Sequence, residues 1–406
     1  MLENVTAYEV LFSVCALIIV SYLFSLLHRA TRIPSVLMLL GLGIALKQLS
    51  LWSEFSLPIP ARLVEFLGTI GLIMIVLEAG LDLTMSRDRL PLIRNSFFSA
   101  LVIFILSALC IAGILQYAYP GQPFVNCLVY SIPLSIISSS IVLPSVHHLT
   151  EDKKEFLIYE ASISDIIGIM VFNFFTTDEV ISGQSVGWFF SSLVLALLIS
   201  AAVCFGLMLL LVRSRINERF FLMFSVLVVI YVGGKMLHLP SLITILMFGL
   251  VVNNWELISG KFTRQYFEVE KVQDTGRFLK SITGESSFLI RTFFFVIFGY
   301  NIDLGFFQNQ TVLLIGGAVV AALLGMRFIY LRILHKYHLF PELFYIPRGL
   351  ITILLFYKIP EFRKLQGFDE GILFFVILAT ALILMAGSLL YKDKPTEYES
   401  GSDIEV

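Results

Sequence analysis

Charge is what this 406-residue chain has least of. Asp, Glu, Lys and Arg together make up 14% of it, while 58% is hydrophobic. A soluble domain carries roughly 25% charged residues, so a soluble fold is excluded. The formal net charge of −2 gives no reason to expect nucleic acid as a partner. Cysteine is scarce as well. Cys15, Cys110, Cys127 and Cys204 fall within apolar runs and lack metal-type spacing, which reads as small core residues. The first apolar run has neither a basic lead-in nor a small-residue cleavage site, so it is expected to stay as a helix. There is no His-Glu-x-x-His pattern, no Gly-x-Ser-x-Gly elbow with a partner histidine, and no catalytic pair of aspartates on separate spans. The chain does not read as an enzyme, and it calls for no cofactor.

What is present is a succession of apolar runs, each long enough to cross a bilayer of about 30 Å. They are continuous, unlike the short alternating segments of a β-barrel. The expected fold is an all-α polytopic membrane protein with about thirteen transmembrane helices. They fall near 8–27, 33–49, 63–82, 95–118, 124–148, 156–177, 185–212, 217–236, 239–256, 285–301, 310–334, 340–358 and 370–391. The expected divisions are 1–260 for the first nine spans, 261–282 for an amphipathic surface helix, 283–391 for the last four spans, and 392–406 for a short acidic tail. The surface helix is read from Lys261, Arg264, Lys271, Arg277 and Lys280 interleaved with Phe262, Tyr266, Phe267 and Phe278.

Basic residues set the expected orientation. One side holds Arg29, Arg32, Arg87, Arg89, Arg94, Lys153, Lys154, Arg213, Arg215, Arg219, the surface helix, Arg332 and Lys336. The other holds only Lys47, Arg62, Lys235, Lys358, Arg363 and Lys364. The richer side is expected to be cytoplasmic, with the N-terminus outside and the tail inside a plasma (inner) membrane.

A few charges remain inside the spans. Arg291, Arg327 and Arg348 face a small set of acids: Glu78, Glu160 and Asp165, with Asp82 near a span end. A charge at the bilayer centre costs at least about 2.5–3.5 kcal/mol, so such residues pair with one another or do a job. Glu160-Ala161-Ser162-Ile163-Ser164-Asp165 is the densest cluster. Positions 160 and 164 share a helix face, as do 161 and 165. Glu160 therefore points away from Asp165, which suits a structural pair for Glu160 and a ligand role for Asp165. Ser162 either ligands an ion or bonds a backbone carbonyl one turn back, the second being favoured. His147 and His148 stand beside Glu151 and Asp152 at a helix end, where a pH sensor and an inert surface pair both remain open. Met74, Met170, Met247 and Phe293–Phe295 read as packing, and Gly41, Gly43, Gly316, Gly317 and Gly325 as sites of close helix contact.

Helix breakers give an independent clue. The fifth span carries Pro133, Ser135, Ser138, Ser139, Ser140 and Pro144, and the twelfth carries Pro347, Arg348 and Gly349. Interrupted helices at corresponding places in two halves point to a transporter's binding site. Two inverted six-helix repeats, spans 1–6 and 8–13, give that offset. Their crossed broken helices would offer hydroxyls and freed carbonyls, the oxygen ligands that hard cations prefer.

With these residues in view, the sequence resembles the monovalent cation/proton antiporter superfamily. Glu160-x-x-x-Ser164-Asp165 is similar to the family's Glu-x-x-x-Asn-Asp signature. Ser286 to Gly299 resembles the tenth helix of sodium/proton members, Pro347-Arg348-Gly349-Leu350 the step of the interrupted twelfth, and Tyr231 to Gly249 the eighth-to-ninth junction. The resemblance implies a homodimer in the lipid bilayer, with a mobile six-helix core. It implies that Asp165 binds the cation or protons in turn and that Glu160 pairs with Arg327, in preference to Arg291 or Arg348. It also implies that Glu78 assists the ion. Ser139, Ser140 and Ser164 complete the expected ion site, with Ser138, Ser162, Arg291 and Arg348 in support. The sequence departs from the pattern at Ser164, at Ala161 and at Ser138-Ser139-Ser140, which stands where many members have Thr-Asp. That serine run resembles the potassium-efflux branch.

The expected function is secondary exchange of Na+, with Li+ and K+ as the other candidate cations, for H+. It proceeds by alternating access with competitive binding at Asp165. One carboxylate at the site favours electroneutral exchange. A K+/H+ efflux exchanger, a transport-silent sensor with the same fold and a channel are the competing readings.

Overall fold

The computed structural model describes residues 7–31, 33–52, 61–85, 88–146, 148–177, scattered positions from 187 to 206, 219–236, 241–258, 269–334 and 340–391. Most of the expected seventh span, residues 261–268, His147 and the expected tail lie outside these. Among the described residues every regular element is helical. The α-helices are α1 Ala7–Thr31, α2 Ser35–Trp52, α3 Ala61–Asp82, α4 Leu90–Ala118, α5 Phe124–Ser135, α6 Ser139–Ser145 and α7 Glu151–Thr177. They continue with α8 Arg219–Met236, α9 Ser241–Asn253, α10 Trp255–Ile258, α11 Val269–Asn301, α12 Gln310–Ile329, α13 Leu350–Tyr357 and α14 Gly371–Leu390.

Five helical stretches among the described residues are long and apolar enough to cross a bilayer unaided. They are Leu90–Ala118, Phe124–Ser145, Asp274–Asn301, Gln310–Ile333 and Gly371–Leu390. Val14–His28, Ser35–Leu51, Phe220–Met236 and Leu242–Asn253 are shorter apolar helices. Large apolar side chains such as Leu11, Phe12, Tyr117, Phe221 and Leu390 stand exposed, as they do on a surface that faces hydrocarbon rather than water.

The helices sort into two packed groups. α1, α2, α3, α8, α9 and α11 form one, and α4 to α7 with α12 to α14 form the other. In the first group backbones approach closely. A Cβ on Gly80 of α3 would stand 2.6 Å from the Leu246 carbonyl of α9, and one on Gly249 would stand 2.9 Å from the Leu77 carbonyl. Gly43 and Gly299 bring α2 and α11 together in the same way. Of the other glycines expected at such contacts, Gly316 packs on Phe375, but Gly41, Gly317 and Gly325 meet nothing within 4 Å. Gly41 sits two residues from Gly43 and Gly317 one residue from Gly316, each off the contact register those glycines set.

A second difference concerns α11. The described part of the expected surface helix, 269–282, and the expected tenth span run as one continuous helix from Val269 to Asn301. Ser281-Ile282-Thr283-Gly284 contains no proline, and a single glycine costs a helix only about 1 kcal/mol, so nothing stops the chain there.

In the second group two helices are broken. Pro133 has no N–H and disrupts the last turn of α5, and residues 136–138 run extended before α6 begins. Ahead of α13, after a 3-10 turn at Glu342–Phe344, the chain is again non-helical through Gly349. The two irregular stretches cross. Ser138 N donates to the Pro347 carbonyl at 2.9 Å. A Cβ on Gly349 would stand 2.8 Å from Ser138 Cβ, so only glycine fits beneath the crossing.

Gly80→Leu is expected to lower stability by about 1–3 kcal/mol through overpacking of α3 on α9. Gly317→Leu, with open space around it, is expected to leave the thermal midpoint in detergent within a degree or two. Equal midpoints for the two variants would remove the glycine contact as a determinant of the first group.

Candidate ion site

Asp165 lies in the middle of α7 and is buried, 3% exposed. Its Oδ2 accepts two hydrogen bonds from Ser139, one from the backbone N at 3.1 Å and one from Oγ at 2.5 Å. Ser139 is the first residue of α6, so its N–H is one of the donors that a helix start leaves free. Asp165 Oδ1 is buried with no hydrogen-bond partner. Beside it is a small cavity of about 20 Å³, lined by Ile75, Val76 and Ala79 of α3, Leu242 and Leu246 of α9, and Ile351 of α13. Among the described residues Asp165 is the only charged group in that lining, and the cavity has walls from both helix groups.

The crossing is fastened to α7 at a second point. Ser164 Oγ accepts from Ile137 N at 3.0 Å. Ser138 Oγ and Ser140 Oγ bond each other at 2.9 Å, and neither hydroxyl bonds the Asp165 carboxylate. Ser162 differs from the favoured expectation, because its buried hydroxyl bonds no backbone carbonyl and has no partner. Thr352 Oγ1 of α13 is also buried without one. Unsatisfied buried hydroxyls are rare and call for an explanation. Thr352 carries no special signal in the sequence, since a threonine in an apolar helix usually bonds a carbonyl of the preceding turn. Here the preceding turn is the broken stretch.

The other charges singled out from the spans are paired or capped, whereas Glu342, just ahead of the second break, keeps a buried Oε2 without a hydrogen-bond partner. Glu160, on another face of α7, is gripped in two-pronged fashion by Arg327 of α12 at 2.7 and 3.1 Å. Both side chains are essentially inaccessible, at 1% and 0%. Ser99 of α4 donates to Glu160 Oε1 at 2.5 Å, and Arg327 Nε donates to the Glu342 carbonyl at 2.6 Å. Ser99 was not singled out from the sequence, although it recurs with Ser96 and Ser107 along one buried stripe of α4.

Glu78, expected beside the ion, is instead bonded through both oxygens to Arg291 of α11, at 2.9 and 3.3 Å, and is not part of the cavity lining. The reason is helix phase: Ile75, Val76 and Ala79 face the cavity, and Glu78 projects toward α11. Asp82 pairs with Lys280 along the same contact at 2.9 Å. Arg348 has no carboxylate within salt-bridge reach among the described residues. Its Nε donates to the Leu134 carbonyl at 2.6 Å and a terminal nitrogen to the Ile346 carbonyl at 3.0 Å. A cation is thereby placed on the carbonyl end of α5, where the helix dipole favours it. His148 is half-buried, with Nε2 3.4 Å from Ser388 Oγ.

Two broken helices crossing beside a buried carboxylate are the architecture of a secondary ion transporter. Within that class, the family described as "Sodium/hydrogen exchanger, transmembrane" matches residues 15–390, and the chain belongs to it. The fold is similar to that of the sodium proton antiporter MjNhaP1 from Methanocaldococcus jannaschii. Its structure at pH 8 aligns with a TM-score of 0.69 and 17% identity, over 94% of this chain and 100% of that one. The electron-microscopy map of the same antiporter gives 0.65 and 15%, over 96% and 100%. Comparison with curated protein sequences gives no match.

Arg327→Leu leaves Glu160 buried and unpaired, which is expected to cost about 3–5 kcal/mol. Replacing both partners, Glu160→Leu with Arg327→Leu, is expected to recover much of that loss. Thermal unfolding of the single and double variants in detergent checks this, and a double variant no more stable than the single would contradict it.

Proposed function

We propose that the protein is a secondary antiporter that exchanges a monovalent cation, Na+ first, for H+ by alternating access. The observation that carries this reading is the unpartnered Asp165 Oδ1 in a cavity bounded by both helix groups. Proton and cation compete for this carboxylate. Ser139 holds Oδ2 and fixes the plane of the carboxyl, leaving Oδ1 to take either a proton or a metal ion. The bare anion is costly between apolar walls, so the second group moves against the first only when Asp165 is neutralised. Ser164 keeps the crossing in register with α7, while Ser138, Ser140, Ser162 and Arg348 support the crossing and its surroundings. One carboxylate in the cavity favours one-for-one, electroneutral exchange. Glu160 and Arg327 hold the moving group together, and Glu78 and Arg291 hold the other.

The same reading takes the breaks at 136–138 and 345–349 as equivalents in two inverted six-helix repeats of a thirteen-span chain. It places the protein in the plasma membrane as a homodimer, N-terminus outside and C-terminus cytoplasmic. K+ is the second candidate cation, favoured by the hydroxyls of Ser138–Ser140 at the crossing.

The test is cation-induced dequenching of a pH dye in proteoliposomes, with Na+, Li+ and K+ compared from pH 6.5 to 8.5. Wild type is expected to respond, and Asp165→Asn to lose at least ~100-fold in rate, since the amide can neither be protonated in this range nor neutralise a cation. Equal responses from both proteins would refute Asp165 as the carrier. Silence toward all cations would favour the sensor reading.

A further inference from the structure

We propose that His28 is a proton-operated latch between the two helix groups. It rests on the antiport reading for its consequence and on geometry for its existence. His28 lies in the last turn of α1, 8% exposed. Its Nδ1 is 2.7 Å from the Ile33 carbonyl, in the turn leading to α2, and its Nε2 is 2.8 Å from the Pro144 carbonyl of α6. Both partners are pure acceptors. A neutral imidazole has one N–H and one lone pair, so it can satisfy only one of them. The doubly bridged arrangement requires the imidazolium, which donates from both nitrogens. Pro144 is in the last turn of α6, where carbonyls lack helical partners and the dipole favours a cation.

The placement gives the latch its effect. α6 is the short helix whose other end, Ser139, holds the Asp165 carboxylate. α1 belongs to the opposite group. Any displacement of the crossing relative to α1 breaks the Nε2–Pro144 bond. The number of bonds the ring makes therefore depends on whether it is protonated. Protonated His28 makes two and ties the groups together. Neutral His28 makes one and turns a lone pair toward the other carbonyl. The tie is therefore strongest on the protonated ring and weakens as pH rises, because the neutral ring keeps Nε2–H on the Pro144 carbonyl only by giving up the Ile33 carbonyl.

The groups that face His28 from its surroundings do not replace this control. α6 carries no titratable side chain, and the charged residue of α2, Lys47, is at its far end, bonded to the Ile302 carbonyl. Arg29 and Arg32 follow it in sequence, and His148 comes after α6 in the chain. No carboxylate is within salt-bridge reach of His28 among the described residues.

The experiment has two arms, each run on wild type, His28→Ala and His28→Lys. In proteoliposomes, exchange by His28→Ala at pH 6 is expected to be about tenfold faster than wild type, the factor that a hydrogen bond to a charged group is worth, and to converge with it by pH 8. His28→Lys, a permanent cation, is expected to stay slow at pH 8. The second arm needs no transport. The thermal midpoint of wild type in detergent is expected to fall, relative to His28→Ala, as pH rises from 5.5 to 8. A difference that does not depend on pH in either arm would mean that His28 only packs, and would overturn the proposal. His28→Gln, which keeps a neutral donor, replaces the alanine variant if that does not fold. A pH-dependent midpoint without any transport would keep the latch and refute the antiport reading.

Discussion

A carboxylate among apolar walls is tolerated only with donors pointed at it, and the structure supplies them from backbone that has been deliberately unpaired. Ser139 can donate both its N–H and its hydroxyl to Asp165 because α6 starts there. α6 starts there because Pro133 and the extended stretch 136–138 end α5 early. Breaking a helix inside a bilayer frees polar groups that no lipid can satisfy. The second break answers the first: the Pro347 carbonyl accepts from Ser138, and Arg348 takes up the Leu134 carbonyl. The buried aspartate, the crossing and the arginine are consequences of one constraint.

The buried charges then divide by what holds them. Glu160 and Arg327 satisfy each other completely, with Ser99 and the Glu342 carbonyl filling the remaining positions. Such a pair is a poor ion ligand because both carboxylate oxygens are already engaged by the guanidinium. Glu78 is occupied by Arg291 in the same manner. Of these three acids, Asp165 alone keeps an oxygen unused. A charge count along the chain treats these acids alike, and only the partner inventory separates scaffold from working group.

That explains what was legible in the sequence. Apolar runs and scarce charge announce a helical membrane protein, and prolines beside Ser138–Ser140 and Arg348-Gly349 mark the places where helices fail. The separation of Glu160 from Asp165 follows from helical spacing alone. The pairing of Glu78 was not legible, because it depends on how α3 is rotated against α9 and α11, and glycine contacts at Gly80 and Gly249 set that rotation. The continuity of α11 was obscured by composition: a charged half and an apolar half read as two elements, although no residue between them stops a helix. Nor was His28 legible. Both of its acceptors are main-chain carbonyls, one of them more than a hundred residues away, and main-chain partners leave no mark on composition.

The crossing has one more consequence. The two broken chains are riveted by bonds in both directions, one from Ser138 to Pro347 and one from Arg348 to Leu134. Neither strand can shift without dragging the other, so their energetics are not separable. Sequence drift on one side of the rivet is constrained by what occupies the other. Residues 133–140 and 346–352, which lie more than two hundred positions apart in the chain, should behave as a single unit of inheritance.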